Sequence, residues 1–299
     1  MPSFILDRGV EWVLWVQRFS PALDGVMSTI TLFGEAVGIV LVLSLLYWGL
    51  DRRLAVRLVL LFALSLFINT WAKNLVMQPR PFQYDPRVLQ LDHATGGGLP
   101  SGHTQAAVVV WGYIALWVRK RWATILAVAL MILVPLSRMY LGMHFPTDLL
   151  GGYLLGGLLL WAFYRLEPAA TRWLSEVTPP WRIALTAVLP ALLLWSLAGA
   201  DGNAIAGALV LLGGGLGYHL LWPPARDEMG GSAPQRVLRW LVGLGATALL
   251  ALGIMALPNV LALIGFALLG VWITLGTPWL FVRLGLARQR PLRRRRSAR

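Results

Sequence analysis

Apolar positions run along this chain in long unbroken blocks rather than in short alternating stripes. Nine blocks lie at residues 33–50, 54–74, 103–118, 122–140, 147–164, 182–199, 203–221, 238–257 and 260–282. Each is close to the roughly 20 predominantly apolar residues that a membrane-crossing helix needs. The pattern predicts an all-α, polytopic helical membrane protein with about nine transmembrane helices. Gly and Pro inside several blocks do not argue against this, because spanning helices tolerate both. The last two blocks are parted only by Pro258 and Asn259, which reads as a tight turn or a re-entrant pair. Residues 3–20 differ: Asp7, Arg8, Glu11 and Arg18 gather on one side of a helical wheel, with Phe4, Ile5, Val13, Leu14 and Val16 elsewhere. That is the pattern of an interfacial amphipathic helix, or equally of the first helix of an ordinary bundle.

Composition sharpens the class. Of the 299 residues 58% are hydrophobic and 13% charged, where soluble domains carry roughly 25% charged residues. The 15 Trp suit the membrane interface. Cysteine is absent, which excludes disulfides, thiolate nucleophiles and thiolate metal ligands. The charges within the first twenty residues do not resemble a cleavable signal. A net charge of +13 invites a nucleic-acid reading, but the arginines cluster on no soluble domain, so no nucleic-acid partner is expected.

Charge in a membrane protein reports topology first. One side receives Arg52, Arg53, Arg57, Arg119, Lys120, Arg121, Arg165, Arg172, Arg182, Arg226, Arg236 and Arg239, then eight arginines from Arg283 to Arg299. The other receives only Arg8, Arg18, Lys73, Arg80, Arg87 and Arg138. The positive-inside rule makes the first side cytoplasmic, with or without the tail. The C-terminus is then cytoplasmic, the basic tail lies against anionic headgroups, and the loops at residues 73–100 and 138–146 are outside.

Those two outer loops hold the candidate chemistry. Lys73, Arg80 and Arg138 are three cations with no acid close in sequence except Asp85. Charges are expensive inside a span, so they should sit at its aqueous edge and face a ligand. Arg offers a planar fork that matches phosphate oxygens, and Lys a mobile point charge. Pro100-Ser101-Gly102-His103 opens the third span, where the free N–H groups of a starting helix make a seat for an anion. His144 and Asp148 stand four apart, so that, with Pro146 in the first turn, one helical turn can bring the carboxylate to an imidazole nitrogen. His103 and His144 form a complementary pair, one nucleophile and one proton donor. The alternatives are a plain helix cap with an incidental histidine, interfacial anchoring for Arg80 and Arg138, and a metal site from His103, His144 and Asp148, which the surrounding cations disfavour. Glu35, His93 and His219 are set aside as solvated or remote, and Gly213, Gly214 and Gly215 as close helix packing.

Lys73-x6-Arg80-Pro81, Pro100-Ser101-Gly102-His103 and Ser137-Arg138-x5-His144-x3-Asp148 together resemble the three-part signature of the type 2 phosphatidic acid phosphatase superfamily. That family includes lipid phosphate phosphatases, undecaprenyl-diphosphate phosphatases, glucose-6-phosphatase and vanadium haloperoxidases. Every signature position is present, over about residues 30–165. The resemblance implies that His144 attacks phosphorus, that Asp148 orients it, and that His103 protonates the leaving group and then activates water. It implies further that Lys73, Arg80, Arg138, Ser101 and Gly102 hold the phosphoryl oxygens, with no metal or other cofactor.

The expectation is therefore a metal-independent hydrolase of a membrane lipid phosphate or polyprenyl diphosphate, such as an undecaprenyl-diphosphatase, working at the outer face. It would sit in a bacterial cytoplasmic (inner) membrane, with the site extracytoplasmic. A phosphotransferase discharging the same phosphohistidine to a lipid acceptor is the alternative, and a lipid flippase a weaker one, because the last four spans carry no Asp or Glu well inside them. The expected layout is an interfacial helix at 1–30, a haloperoxidase-like catalytic core at 31–166, a four-helix extension at 180–283 and a basic tail at 284–299. The extension either packs beside the core or forms a homodimer interface.

Overall fold

The computed structural model describes residues 3–94, 96–196, 202–220 and 231–287, with backbone alone at 196, 202–204 and 220. Among these there is no strand. Helices α1 (Ser3–Gln17), α2 (Asp24–Thr31), α3 (Ala36–Leu45), α4 (Arg52–Val76) and the single turn α5 (Pro81–Tyr84) come first. They are followed by α6 (Gly102–Val118), α7 (Arg121–Tyr140), α8 (Pro146–Glu176), α9 (Pro179–Ser196) and α10 (Gly202–Leu220). Last are α11 (Ala233–Met255), α12 (Asn259–Val271) and α13 (Thr277–Arg283). Each of the nine apolar blocks falls on one or more of these helices. The basic tail from residue 288 and Arg226 lie outside the described residues.

Among the described residues five helical segments are long and apolar enough to cross a membrane, or six if α2 and α3, bent by 57° at Glu35, count as one. The helices at Pro179–Trp195 and Ile205–His219 are apolar but shorter. This is an integral membrane protein.

Two spans contain a detail that hydropathy does not register. Residues 46–50 continue α3 as a turn of π-helix, and residues 272–276 join α12 to α13 in the same way. A π-turn inserts one extra residue into the hydrogen-bond ladder and shifts the face presented beyond it.

The chain divides into two compact units, one of residues through Leu43 and 56–173, the other of residues 44–55 and from Leu174 onward. In the second unit α10 lies tightly on α12. A side chain at Gly213 would strike the Ala267 carbonyl, and one at Gly270 the Val210 carbonyl, so absence of side chains sets that close approach.

The first unit carries the motifs, and its helix ends are set by local chemistry. Ser101 caps α6, its Oγ accepting from the Thr104 N–H at 3.4 Å and the Thr104 hydroxyl at 3.0 Å. Pro81 and Pro146 occupy the first positions of α5 and α8, where a missing N–H costs nothing. At the turn after α7, Gly142 has φ +78°, and a Cβ there would collide with the Leu89 carbonyl.

Helix α1 has two apolar faces. Leu6, Val10 and Val13 pack on Val88 and Phe145, while Phe4, Trp12 and Trp15 are exposed. Buried Gln17 ends the helix by donating to the carbonyls of Leu89 (2.8 Å) and Tyr140 (2.9 Å) and accepting from the Leu89 N–H (3.0 Å). This fixes the long loop after α5 against the end of α7.

Candidate active site

The ends of α4, α6, α7 and α8, the segment between α4 and α5, and the turn between α7 and α8 place all eight sequence-selected residues within one part of the first unit. The turn between α7 and α8 supplies His144, which is buried. Its Nδ1 lies 3.2 Å from Oδ2 of Asp148 in the first turn of α8. The same Oδ2 accepts the Phe145 N–H at 2.9 Å, and Oδ1 accepts the Gln78 amide at 2.7 Å. Three groups thus converge on a fully buried carboxylate, and with the imidazole proton on Nδ1 all three donate to it. Nε2 then carries a lone pair, 3.5 Å from the Arg80 guanidinium. Burial, followed by the charges of Lys73, Arg80 and Arg138, holds the His144 imidazole well below its ordinary range. It is a neutral base at neutral pH.

The cations are buried rather than snorkelled to an edge. Arg80 is 3% and Arg138 2% exposed. Arg80 donates to the carbonyls of Gly96 (3.1 Å) and Met143 (3.1 Å), and half-buried Lys73 to that of Gly97 (2.9 Å). Arg138 donates to the Thr31 hydroxyl (3.1 Å) and makes a very short ion pair with Asp92, while its Nε is buried without a partner. This corrects the expectation about nearby acids. Asp85 turns instead to Arg87, two residues on, bonding both its N–H and its guanidinium, and Arg87 holds the Asp85 carboxyl below its usual range. The acid that meets a site cation is Asp92.

At the start of α6, Ser101 is fully buried and its N–H is committed to the Asp148 carbonyl at 2.9 Å. That bond ties the two catalytic segments together. The Gly102 and His103 amides follow as the unbonded first donors of the helix. Nε2 of His103 is buried and has no hydrogen-bond partner among the described residues. A buried imidazole nitrogen left open in this way is a place for a ligand proton. Among the described residues no three His, Asp or Glu side chains converge as a metal site would require.

Beneath this seat runs a buried polar chain absent from the sequence reading. Gln105 donates to the Ser65 carbonyl and hydroxyl, both at 3.0 Å. Asn69 donates to Gln105 (2.9 Å) and to the Pro100 carbonyl (3.3 Å). On the other side, a Cβ at Gly152 would lie 2.7 Å from the Ser101 carbonyl, and one at Gly156 3.2 Å from that of Gln105, so α8 rests directly on α6. Gln78, Asp92, Asn69 and Gln105 are the residues that motif spacing missed. Asn69 and Gln105 left one signal, polar amides inside apolar blocks.

A buried histidine–carboxylate pair, three cations and a helix start thus lie together in one unit of a helical membrane protein. Sequence comparison makes this specific. The PAP2 superfamily model matches residues 54–172, and that of the PAP2 superfamily phosphatase transmembrane extension matches residues 204–289. An undecaprenyl-diphosphatase of Sulfolobus acidocaldarius is 31% identical over 148 residues, 48% of this chain and 71% of that protein. A lipid A 4'-phosphatase of Bacteroides thetaiotaomicron is 28% identical over 194 residues, 60% of this chain and 85% of the relative. A solved transmembrane PAP2-type phosphatidylglycerolphosphate phosphatase from Bacillus subtilis is 24% identical, with a TM-score of 0.48 over 56% of this chain and 89% of that one. The chain belongs to the PAP2 superfamily. It is a membrane lipid phosphatase, a hydrolase of phosphate ester or diphosphate bonds.

Proposed function

We propose that this enzyme cleaves a membrane-embedded lipid phosphate or polyprenyl diphosphate at the extracytoplasmic face through a covalent phosphohistidine. The observation that carries the reading is the His144–Asp148 pair, with Nδ1 held at 3.2 Å and Nε2 beside Arg80. The Nε2 lone pair attacks phosphorus and the bond to the lipid oxygen breaks. His103, having taken a proton from the bound phosphate, gives that proton to the departing oxygen. Neutral His103 next takes a proton from water as the water oxygen displaces Nε2, and passing that proton to the released phosphate restores both histidines. Asp148 stabilises the imidazolium that forms during attack. Lys73, Arg80, Arg138, the Gly102 amide and the Ser101 hydroxyl hold the phosphoryl oxygens, each donor contributing on the order of 3–4 kcal/mol in the transition state. The names of the relatives support a polyprenyl diphosphate as the first substrate to assay and phosphatidylglycerol phosphate as the second.

The test is inorganic phosphate release from a panel of lipid phosphates in EDTA, for wild type, His144→Ala and His103→Ala. Both variants should be inactive and the wild type indifferent to chelation. Full activity in either variant, or a need for added metal, overturns the mechanism. Release without any lipid acceptor separates hydrolysis from phosphotransfer. Because the chain has no cysteine, single cysteines introduced at His93 and Ser297 report sidedness: an impermeant thiol reagent applied from outside should label only the first.

A further inference from the structure

Each of the three site cations is engaged by the same stretch of the loop before α6. Lys73 takes the Gly97 carbonyl, Arg80 the Gly96 carbonyl, and Arg138 the Asp92 carboxylate. The first two ligands are neutral backbone oxygens. The third is a full negative charge on a guanidinium that is itself 2% exposed. Asp92 is also held in place. Its Oδ1 accepts the His93 N–H at 2.7 Å, its carbonyl accepts the Gln90 amide at 3.2 Å, and the neighbouring Leu91 N–H bonds the Leu141 carbonyl at 3.1 Å. Its Oδ2 is thereby placed on Arg138 as a phosphoryl oxygen would be.

We propose that Asp92 is an internal competitor for the phosphate site, a specificity-determining residue that weakens the hold of Arg138 on ground-state phosphate and so speeds release of the inorganic product. The proposal rests on the assignment of Arg138 to the phosphoryl group made above. A site of three cations facing a small dianion binds its own product tightly, and tight binding of substrate and product alike does not accelerate turnover. A carboxylate beside one cation lowers that affinity through repulsion of the dianion and through competition for the same N–H. Thr31, the other partner of Arg138, keeps the guanidinium in position when the carboxylate yields.

The test is competitive inhibition of lipid-phosphate hydrolysis by inorganic phosphate, measured in detergent for wild type, Asp92→Asn, Asp92→Ser and Arg138→Lys. Both Asp92 variants should bind phosphate more tightly. The expected fall in Ki is about three- to tenfold, the size of one partly screened charge-assisted hydrogen bond, with kcat reduced as release becomes slower. An unchanged or raised Ki in both variants overturns the proposal and leaves Asp92 a strut for Arg138. Arg138→Lys separates the two readings. If it leaves Ki unchanged, the assignment of Arg138 to phosphate fails. If it raises Ki while the Asp92 variants do nothing, only the role of Asp92 fails.

Discussion

Replacement of Gln78 by Met isolates one hydrogen bond of Asp148, the carboxylate that orients the proposed nucleophile. The side chain is 3% exposed, and its amide nitrogen sits 2.7 Å from Oδ1 of Asp148. Its own Oε1 is buried without a partner among the described residues, so the substitution removes a donor and orphans no acceptor there other than Oδ1. Met has nearly the same length, and the backbone bond from the Gly98 N–H to the Gln78 carbonyl at 2.7 Å is untouched. A hydrogen bond to a charged group contributes about 1.5–3 kcal/mol. If Oδ1 loses it, the carboxylate is free to turn about the axis that aims Oδ2 at His144, and the imidazolium formed on attack loses its aligned counter-charge. Most of that energy should appear in the transition state, as a fall in kcat of about 10- to 100-fold, with KM within about twofold because no phosphate ligand is removed. The assay is continuous phosphate release from a lipid phosphate in mixed micelles, with thermal unfolding in the same detergent to check folding. Gln78→Glu should be worse than Met, since it sets a second carboxylate against Asp148. Unchanged kcat in the Met variant, or a Glu variant as active as Met, would refute the argument.

Three further outcomes are expected. A Cβ in Gly98→Ala would lie 2.8 Å from Oδ2 of Asp148 and 3.3 Å from the Pro79 carbonyl, so kcat should drop by an order of magnitude or more in a protein that still folds; steady-state kinetics on the purified variant decide it. Asn69→Leu strips a donor from the Pro100 carbonyl and from Gln105, at about 1–3 kcal/mol for each buried group left unpaired, and a melting temperature equal to wild type would dismiss the polar chain as structural support. Since the folded His144 resists protonation, the unfolded chain binds the extra proton as pH falls below its ordinary value. Stability contributed by neutral His144 is therefore complete above about pH 6.5 and declines below it, and the melting temperature of His144→Gln should decline less steeply between pH 7 and 5.

Much of this architecture is written in hydropathy, because a helix that crosses lipid must be apolar along most of its length. The described parts of all nine blocks are largely helical, although only five or six of the described helices are long and apolar enough to cross a membrane, and Ser101 and Pro146 mark starts that the structure places at or beside those residues. The π-turns at 46–50 and 272–276 were not legible, since a shifted hydrogen-bond register leaves composition unchanged. The spacing of His144 and Asp148 translated directly into contact because both lie within one turn. Residues brought together through loops did not. Asp85 is nearest in sequence to Arg80, yet its side chain closes a local turn with Arg87, while Asp92 crosses to Arg138 over a separation of 46 residues. Gln78 carries no charge and no motif position, so only the fold reveals its bond to Asp148.

The glycine seam on α8 has a practical consequence for anyone seeking altered selectivity. Gly151, Gly152 and Gly156 let α8 lie on Pro100, Ser101 and Gln105 without an intervening side chain, so the carriers of the two histidines move as one piece. The spacing between His144 and His103, the nucleophile and acid of the proposed mechanism, is then set by the packing of α8 on α6. Variation aimed at new lipids therefore belongs away from these three glycines. A library that replaced Gly151, Gly152 or Gly156 would mostly return inactive clones, whatever lipid was used for selection.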